Sequence, residues 1–284
     1  MNRRLSDEKI LFLLVLPGLI GLLVFYIAPF ILSFYFALID NNVGRNFVGL
    51  SNFVDTFQNA AFRLGFRNTA VFMAVSLPLN IILPLVMAML INKTVKFNKM
   101  FCLILLLPLV IPSGSVVHFW RSIFGFNGLI NGLFFVDDPI NWLNTDYALP
   151  IITLIYIWKN AGFNMLLFLA GLQFIPKVYY ELASVEGMSS IRQFFNITIV
   201  YLTPTTFLVF IMSMINSFRA FREIYLLAGA YPHPSIYMLQ HFINNQFAML
   251  NYQRMATASY ILTLCIVSLV FGLYYLQLKR AKNF

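Results

Sequence analysis

Residues 181–188 read ELASVEGM and separate two long apolar runs, near 149–174 and 197–218. Hydrocarbon offers no hydrogen-bond partners for the two carboxylates and the serine hydroxyl of this short stretch, or for the backbone of a turn at its glycine. A membrane protein keeps such a segment only where water or another protein contacts it. The fold must therefore place this segment outside the bilayer, and its expected role is contact.

The composition is that of an integral membrane protein. Of 284 residues, 60% are hydrophobic and 10% are charged, and the mean hydropathy is +0.80, whereas a soluble domain is about 45–50% apolar and about 25% charged. The net charge of +9 does not indicate nucleic-acid binding, because the cations lie in short clusters between apolar runs. Cys102 and Cys265 lie inside apolar runs, away from metal-ligand or redox spacing.

Six apolar stretches are long enough to cross a bilayer, which takes about 20 residues. They lie near 10–38, 69–91, 100–120, 149–174, 197–218 and 255–278. The first is too long for the apolar region of a secretory signal, about 7–15 residues, and lacks a small-residue cleavage site, so we expect it to be retained. The sequence therefore predicts an all-α, six-helix integral membrane bundle that forms a single domain over residues 1–284.

The distribution of Lys and Arg predicts the orientation of this bundle. The segments 1–9, 92–99, 175–195 and 279–284 carry 11 such residues in 44 positions, and the alternate loops carry seven in 94. Positive charge is retained on the cytoplasmic side of a membrane. Both termini and residues 181–188 are therefore expected to face the cytoplasm.

The chain lacks the sequence motifs of enzymes. It contains no H-E-x-x-H, G-x-S-x-G or P-loop pattern, and its three histidines lie apart from any acidic residue or cysteine at ligand spacing. The six predicted spans hold no acidic residue, and Lys159 is their clear internal charge. Lys159 is expected either to touch solute or to extend to the outer interface. Catalysis is not expected, and neither is a proton relay of the kind that pumps use.

The polar segment 178–195 predicts two short helices with a sharp turn between them. Residues 178–185 favour a helix, Gly187 can end it, and Ser189 or Ser190 can cap the next one. Apolar and charged side chains alternate along the segment, which favours a knob that docks into a partner's cleft. An amphipathic linker on the membrane surface is the alternative.

These residues resemble the cytoplasmic signature of permease subunits of binding-protein-dependent ABC importers, in the carbohydrate-type family of maltose, glycerol phosphate and multiple-sugar permeases. That signature reads E-A-A-x-x-D-G-A, followed by F-x-x-I-x-L-P-x-L-x-P. The matching residues are Glu181, Ala183, Gly187, Phe194, Ile197, Leu202 and Pro204. The sequence departs from it at Leu182, Glu186, Met188 and Val200. Shorter matches follow in order along nearly the whole chain, at 16–17, 48–53, 68–69, 107–108, 158–163, 169–176 and 221–225.

The resemblance implies a type I importer fold in which residues 178–195, between spans four and five, form a coupling helix seated on a cytoplasmic ATPase dimer. The residues implied in this coupling are Glu181, Ala183, Glu186, Gly187, Met188 and Arg192. It also implies that ATP and Mg²⁺ bind to the ATPase, and that this chain carries no cofactor or metal. The further partners implied are a second permease, with this chain as the first-type subunit of a heterodimer, and an extracytoplasmic solute-binding protein. The implied location is the bacterial cytoplasmic membrane.

Counting along the matched motifs places Asn160, Phe163 and Asn216 near the implied solute path. Amides bond sugar hydroxyls and aromatic rings pack on sugar faces, although an Asn in a membrane helix often bonds only a neighbouring helix. Carbohydrate import is therefore the expected function. The alternatives are an ABC permease for another solute, such as a polyamine, phosphate ester or peptide, and a membrane scaffold that transports nothing.

Overall fold

The computed structural model describes residues 2–40, 43–93, 98–133 and 138–281. Within those ranges the regular structure is helical, apart from a single antiparallel bridge between Ile39 and Phe47. Lys96 and Lys282, two of the cationic residues behind the predicted orientation, lie outside the described residues. The all-α prediction agrees with this structure.

The described helices vary from a single turn to 34 residues. They are α1 Asn2–Leu22, α2 Ala28–Ala37, α3 Ser51–Gln58, α4 Ala60–Lys93, α5 Asn98–Val110, α6 Ser113–Phe124, α7 Leu129–Leu133, α8 Ala148–Gln173, α9 Lys177–Val185, α10 Ser190–Gln193, α11 Ile199–Tyr201, α12 Thr203–Arg219, α13 Phe221–Ala228, α14 Leu239–Ala248 and α15 Tyr252–Ala281. Single π-helical turns join α1 to α2 and α10 to α11.

Among the described residues, four helices are long and apolar enough to cross a membrane alone, at Lys9–Ala37, Ala60–Asn92, Ala148–Gln173 and Tyr252–Tyr275. Two helix pairs, each of which bends at a short break, meet the same criteria of length and composition when their two arms are taken together. The total is six if each bent pair counts as one span, which agrees with the sequence prediction.

Two of the predicted spans are sharply bent, and one helix boundary differs from the predicted one. The pair Met100–Val110 and Ser113–Leu133 bends by 97°, and the pair Ser190–Tyr201 and Thr203–Ala228 bends by 66°. Pro112 lies in the first break with an extended ψ of 143°, and proline supplies no N–H to continue a helix. The second span begins at Ala60, ahead of the predicted start near 69.

The residues fall into two compact units, Met1–Arg63 with Phe242–Phe284, and Leu64–His241. In the first unit α2 packs against α15. The Tyr260 hydroxyl on α15 donates a hydrogen bond to the Phe30 carbonyl, and the two rings are 4.8 Å apart.

The second unit is built around α8, which packs against α5 and α12. Asn164 on α8 donates to the Asn80 carbonyl of α4 at 3.1 Å and to the Ser213 hydroxyl of α12 at 3.0 Å. The Asn80 carbonyl is the group that would accept from residue 84 in a regular helix, and Pro84 has no N–H. The amide therefore satisfies a carbonyl that proline leaves free, as a water-free interior requires.

Gly162 allows α8 to approach α5 closely. A Cβ at Gly162 would lie 1.8 Å from the Leu105 carbonyl oxygen of α5. The position of that Cβ is fixed by the backbone of α8 and the carbonyl belongs to the backbone of α5, so neither atom can rotate away.

We predict that Gly162→Ala destabilises the protein by about 1–3 kcal/mol, the usual range for forced overpacking. The measurement is the thermal unfolding midpoint of purified protein. Gly272→Ala on α15 is the matched control, because a Cβ there would meet nothing within 4 Å. Equal midpoints for the two variants would contradict the close approach.

Candidate functional site

A helical hairpin occupies the polar segment that the sequence singled out. Helix α9 ends where Gly187 adopts φ +73°. The Met188 N–H donates to the Ala183 carbonyl at 2.8 Å, and the Gly187 N–H donates to the Ser184 carbonyl at 3.1 Å. These two bonds form the Schellman motif, which satisfies the last carbonyls of a helix and requires a left-handed residue, normally glycine.

The second helix of the hairpin begins with a side-chain cap. The Ser189 hydroxyl accepts from the Arg192 N–H at 3.5 Å, and Ser189 is therefore the N-cap of α10. Gln193 then donates to the Met188 carbonyl at 3.0 Å and to the Ser184 hydroxyl at 3.1 Å, which ties the two helices together. The prediction of two short helices around Gly187 is confirmed.

The hairpin exposes an apolar stripe with charges beside it. Val178, Leu182 and Val185 lie on one face of α9, at i, i+4 and i+7, and all three are exposed. Glu181, Glu186, Gly187 and Arg192 are also exposed, Met188 is half-buried and Ala183 is buried. The predicted coupling residues thus lie on a single hairpin, all of them accessible to some degree except Ala183.

The hairpin is joined to the fifth span by a side-chain hydrogen bond. The Tyr180 hydroxyl and the Thr198 hydroxyl are 2.9 Å apart, and Thr198 is the last residue of the π-helical turn Phe194–Thr198. Tyr180 also packs on the buried cluster that contains Phe168 and Leu202. Movement of α9 would consequently be transmitted to α8 and to the fifth span.

A second feature is a cavity of ≈ 670 Å³ within the Leu64–His241 unit. Its walls come from α5, α6, α8, the α12–α13 segment and Gln240. The lining residues are Leu109, Ser113, Ile152, Ile155, Tyr156, Lys159, Asn160, Asn216, Phe218, Arg219, Ala220, Phe221, Arg222, Glu223 and Gln240. This volume lies within the roughly 300–1,000 Å³ of typical small-molecule sites.

The cavity contains an ion pair that the sequence did not predict. The Lys159 ammonium is bonded to the Glu223 carboxylate, which also accepts from the Ser113 hydroxyl at 2.8 Å. Their side chains are 20% and 11% exposed. The charge of Lys159 is thus neutralised by a carboxylate within this unit, and its role at the solute path or at the outer interface stays a prediction. Lys159 and Glu223 are 64 residues apart in the sequence. The only feature of the sequence that indicated a nearby carboxylate was the single cation, Lys159, within a predicted span.

Two of the three residues predicted along the solute path meet in this cavity. Asn160 and Asn216 both line it, whereas Phe163, half-buried one helical turn further along α8, is not among the lining residues. The Asn160 Nδ2 donates to the Tyr156 carbonyl at 2.8 Å, within its own helix. The role of these three side chains in transport stays a prediction.

His241, in the first turn of α14, packs behind the cavity wall. Its ring is fully buried and lies edge-on to Phe221, with ring centroids 4.8 Å apart. Its Nδ1 accepts from the Met238 N–H at 3.1 Å, so the neutral ring carries its proton on Nε2. Burial lowers the pKa of His241 to about 4, since a charged imidazole would be poorly solvated there.

Residues 71–283 match the family model of the inner membrane component of binding-protein-dependent transport systems. The chain belongs to this family. The permease is also 31% identical, over 98% of its length and 96% of the relative's, to the trehalose/maltose transport system permease protein MalF of Thermococcus litoralis. It is 32% identical, over 80% of its length and 78% of the relative's, to the probable ABC transporter permease protein YesP of Bacillus subtilis.

Solved structures show the same fold. A bacterial ABC transporter that imports the acidic polysaccharide alginate contains a chain that superimposes with a TM-score of 0.80 and 24% identity, over 98% of the permease and 97% of that chain. The alginate transporter in complex with a periplasmic protein bound to an alginate pentasaccharide gives a TM-score of 0.78 and 24% identity, over 94% and 93% of the two chains. The permease is thus a multi-pass membrane transport subunit of the ABC importer type.

We predict that Lys159→Met and Glu223→Gln each destabilise the permease by about 3 kcal/mol, because each leaves one buried charge without its partner. The double variant removes both charges and should be destabilised less than the sum of the two. Thermal unfolding midpoints of the four proteins form the double-mutant cycle that measures this coupling. Additive losses would mean that the two groups do not stabilise each other.

We predict that the permease loses stability as the pH falls from about 6.5 towards 4, in part through His241. Its folded pKa is below the unfolded value, so the unfolded chain binds the proton first and the stabilisation present above pH 6.5 is lost over that window. The difference between the two pKa values corresponds to at most roughly 3 kcal/mol. Unfolding midpoints across this range should vary less in His241→Gln than in the wild type. The matched variant His233→Gln should keep the wild-type dependence, and an equal slope in His241→Gln would overturn the assignment.

Proposed function

We propose that the permease is one of two membrane subunits of an ATP-driven carbohydrate importer and forms half of its solute path. The observation that carries the proposal is the capped hairpin at 177–193. It presents an exposed apolar stripe and charges in the segment where the family has its cytoplasmic signature.

The hairpin docks into a cleft of a separate ATPase subunit, where ATP and Mg²⁺ bind and hydrolysis takes place. Val178, Leu182 and Val185 would fill the cleft, and Glu181, Glu186 and Arg192 would bond its rim. Buried Ala183 and half-buried Met188 hold the turn that Gly187 makes possible. An exposed apolar stripe beside charges is what a docked helix requires.

The hairpin and both termini face the cytoplasm of a bacterial cell, and the opposite ends of the spans meet a solute-binding protein. The density of Lys and Arg supports this orientation. The alginate transporter that shares the fold binds a periplasmic protein, which supports a partner of that kind here. A second, different permease would complete the path on the open side of the cavity.

The solute is a carbohydrate that passes the cavity holding Asn160 and Asn216. Amide groups bond hydroxyls, and the aromatic residues Phe218 and Phe221, which also line the cavity, can pack on the apolar face of a sugar. The relative named for trehalose and maltose and the structure named for alginate both support a carbohydrate. Family membership disfavours the scaffold alternative, and these names disfavour a polyamine or peptide as the solute.

We predict that Glu181→Ala and Gly187→Val each reduce ATP-dependent carbohydrate uptake by at least about fivefold, the low end of ordinary coupling energies. A Cβ at Gly187 would meet nothing within 4 Å, so the effect of Gly187→Val comes from the positive φ that the Schellman turn needs and that a β-branched residue disfavours. Uptake is measured in cells that carry the complete importer, with membrane insertion quantified separately.

Gly272→Val is the matched control, because it also meets nothing within 4 Å but has an ordinary helical backbone. It should transport as the wild type does, and ATPase subunits should co-purify with it and not with Gly187→Val. Undiminished uptake by both hairpin variants would remove the proposed coupling role.

A further inference from the structure

The charges around the cavity do not balance. Lys159, Arg219 and Arg222 line it, and Glu223 is the one carboxylate among its described lining residues. Lys159 and Glu223 neutralise each other. The two arginines therefore leave the lining residues with a net positive charge.

These two guanidiniums have no partner within the described residues. No hydrogen bond or ion pair joins either of them to another described side chain or carbonyl, and both side chains are exposed towards open space. Arg121, by contrast, donates to the carbonyls of Leu226 and Leu227 at the end of α13. The fold thus gives Arg121 a structural role and leaves Arg219 and Arg222 available to a ligand.

The two arginines lie three residues apart, Arg219 in the last turn of α12 and Arg222 in the first turn of α13. Ala220, between the two helices, keeps helical backbone angles, and the Ile224 N–H donates to its carbonyl at 3.1 Å, so the helical path is nearly continuous. Residues three apart on such a path share a face. An anion in the cavity would therefore reach both arginines.

We propose that the cavity binds a carbohydrate that carries an acidic group, a carboxylate, a phosphate or a sulfate, held by Arg219 and Arg222. Guanidinium groups bond such oxyanions in a planar, often bidentate geometry. The neutral part of the sugar lies against Asn160, Asn216 and the aromatic rings. This inference rests on the proposed function, since it names the class of carbohydrate that the same cavity takes.

The test is equilibrium binding to the assembled permease and ATPase subunits in nanodiscs of zwitterionic lipid. The solute-binding protein is left out. The probes are two pairs that differ at carbon 6, where one member of each pair carries an acidic group: galacturonate with galactose, and glucose 6-phosphate with glucose. The acidic member of at least one pair should bind about tenfold or more tightly than its neutral partner, the factor expected for a hydrogen bond to a charged group. Equal affinities within both pairs would overturn the proposal.

Variants assign the preference to the two arginines. The double variant Arg219→Gln/Arg222→Gln should reduce the preference to about twofold or less, and Arg219→Lys/Arg222→Lys should keep a part of it. Arg254→Gln is the matched control, because Arg254 is an exposed arginine of the same predicted outer side and does not line the cavity. A full acid preference in the double Gln variant would also overturn the proposal.

A phospholipid head group offers the same chemistry as a sugar phosphate. Nanodiscs that contain phosphatidylglycerol separate the two, since affinity for the acidic probe should not change if the site belongs to the solute. A tenfold loss would show that the guanidiniums bind lipid and would sink the inference. ATP-dependent uptake of neutral and acidic sugars tests the proposed function separately. An importer that takes up only neutral sugars would support the proposed function and contradict this inference.

Discussion

Hydrocarbon offers no hydrogen bonds, so each polar group within the spans of this permease must find its partner inside the protein. Helices meet this demand for most of the backbone, and side chains meet it where proline interrupts a helix. The bond from Asn164 to the Asn80 carbonyl is the clearest case, because Pro84 is the residue that fails to donate there. The Lys159–Glu223 pair meets the same demand for charge.

The same constraint explains where the chain leaves polar residues exposed. The hairpin at 177–193 places carboxylates and an apolar stripe outside the spans, and its own backbone is closed by the turn at Gly187. Arg219, Arg222 and Asn216 line the cavity and are exposed or half-buried, so water or a solute can reach them. The Tyr180 hydroxyl joins the hairpin to the bent helix pair that carries Arg219 and Asn216. The hairpin that we propose for coupling is thus connected by a hydrogen bond to the helices of the proposed solute site.

Several features were predictable because they depend on neighbours in the sequence. Six apolar stretches account for the six spans, and Gly187 followed by Ser189 accounts for the turn and the cap of the hairpin. The family signature lies in the same short segment, so the likeness to importer permeases could be recognised before any tertiary contact was known. The spans follow from apolar length, and the turn and the cap follow from hydrogen bonds whose partners lie within about five residues of each other.

The remaining features depend on which distant segments meet. Composition alone did not locate the 97° and 66° bends, because many prolines occur along the apolar runs and only the break at Pro112 coincides with the sharper bend. Nor did it show that Glu223, in a segment taken for an outer loop, is buried against Lys159. The sequence by itself determined the membrane class, the number of spans and the shape of the hairpin, through apolar length and local turn chemistry. Only the tertiary structure decided which charges cancel and which remain in the cavity, because an ion pair between residues 64 positions apart is made by packing and leaves no pattern along the chain.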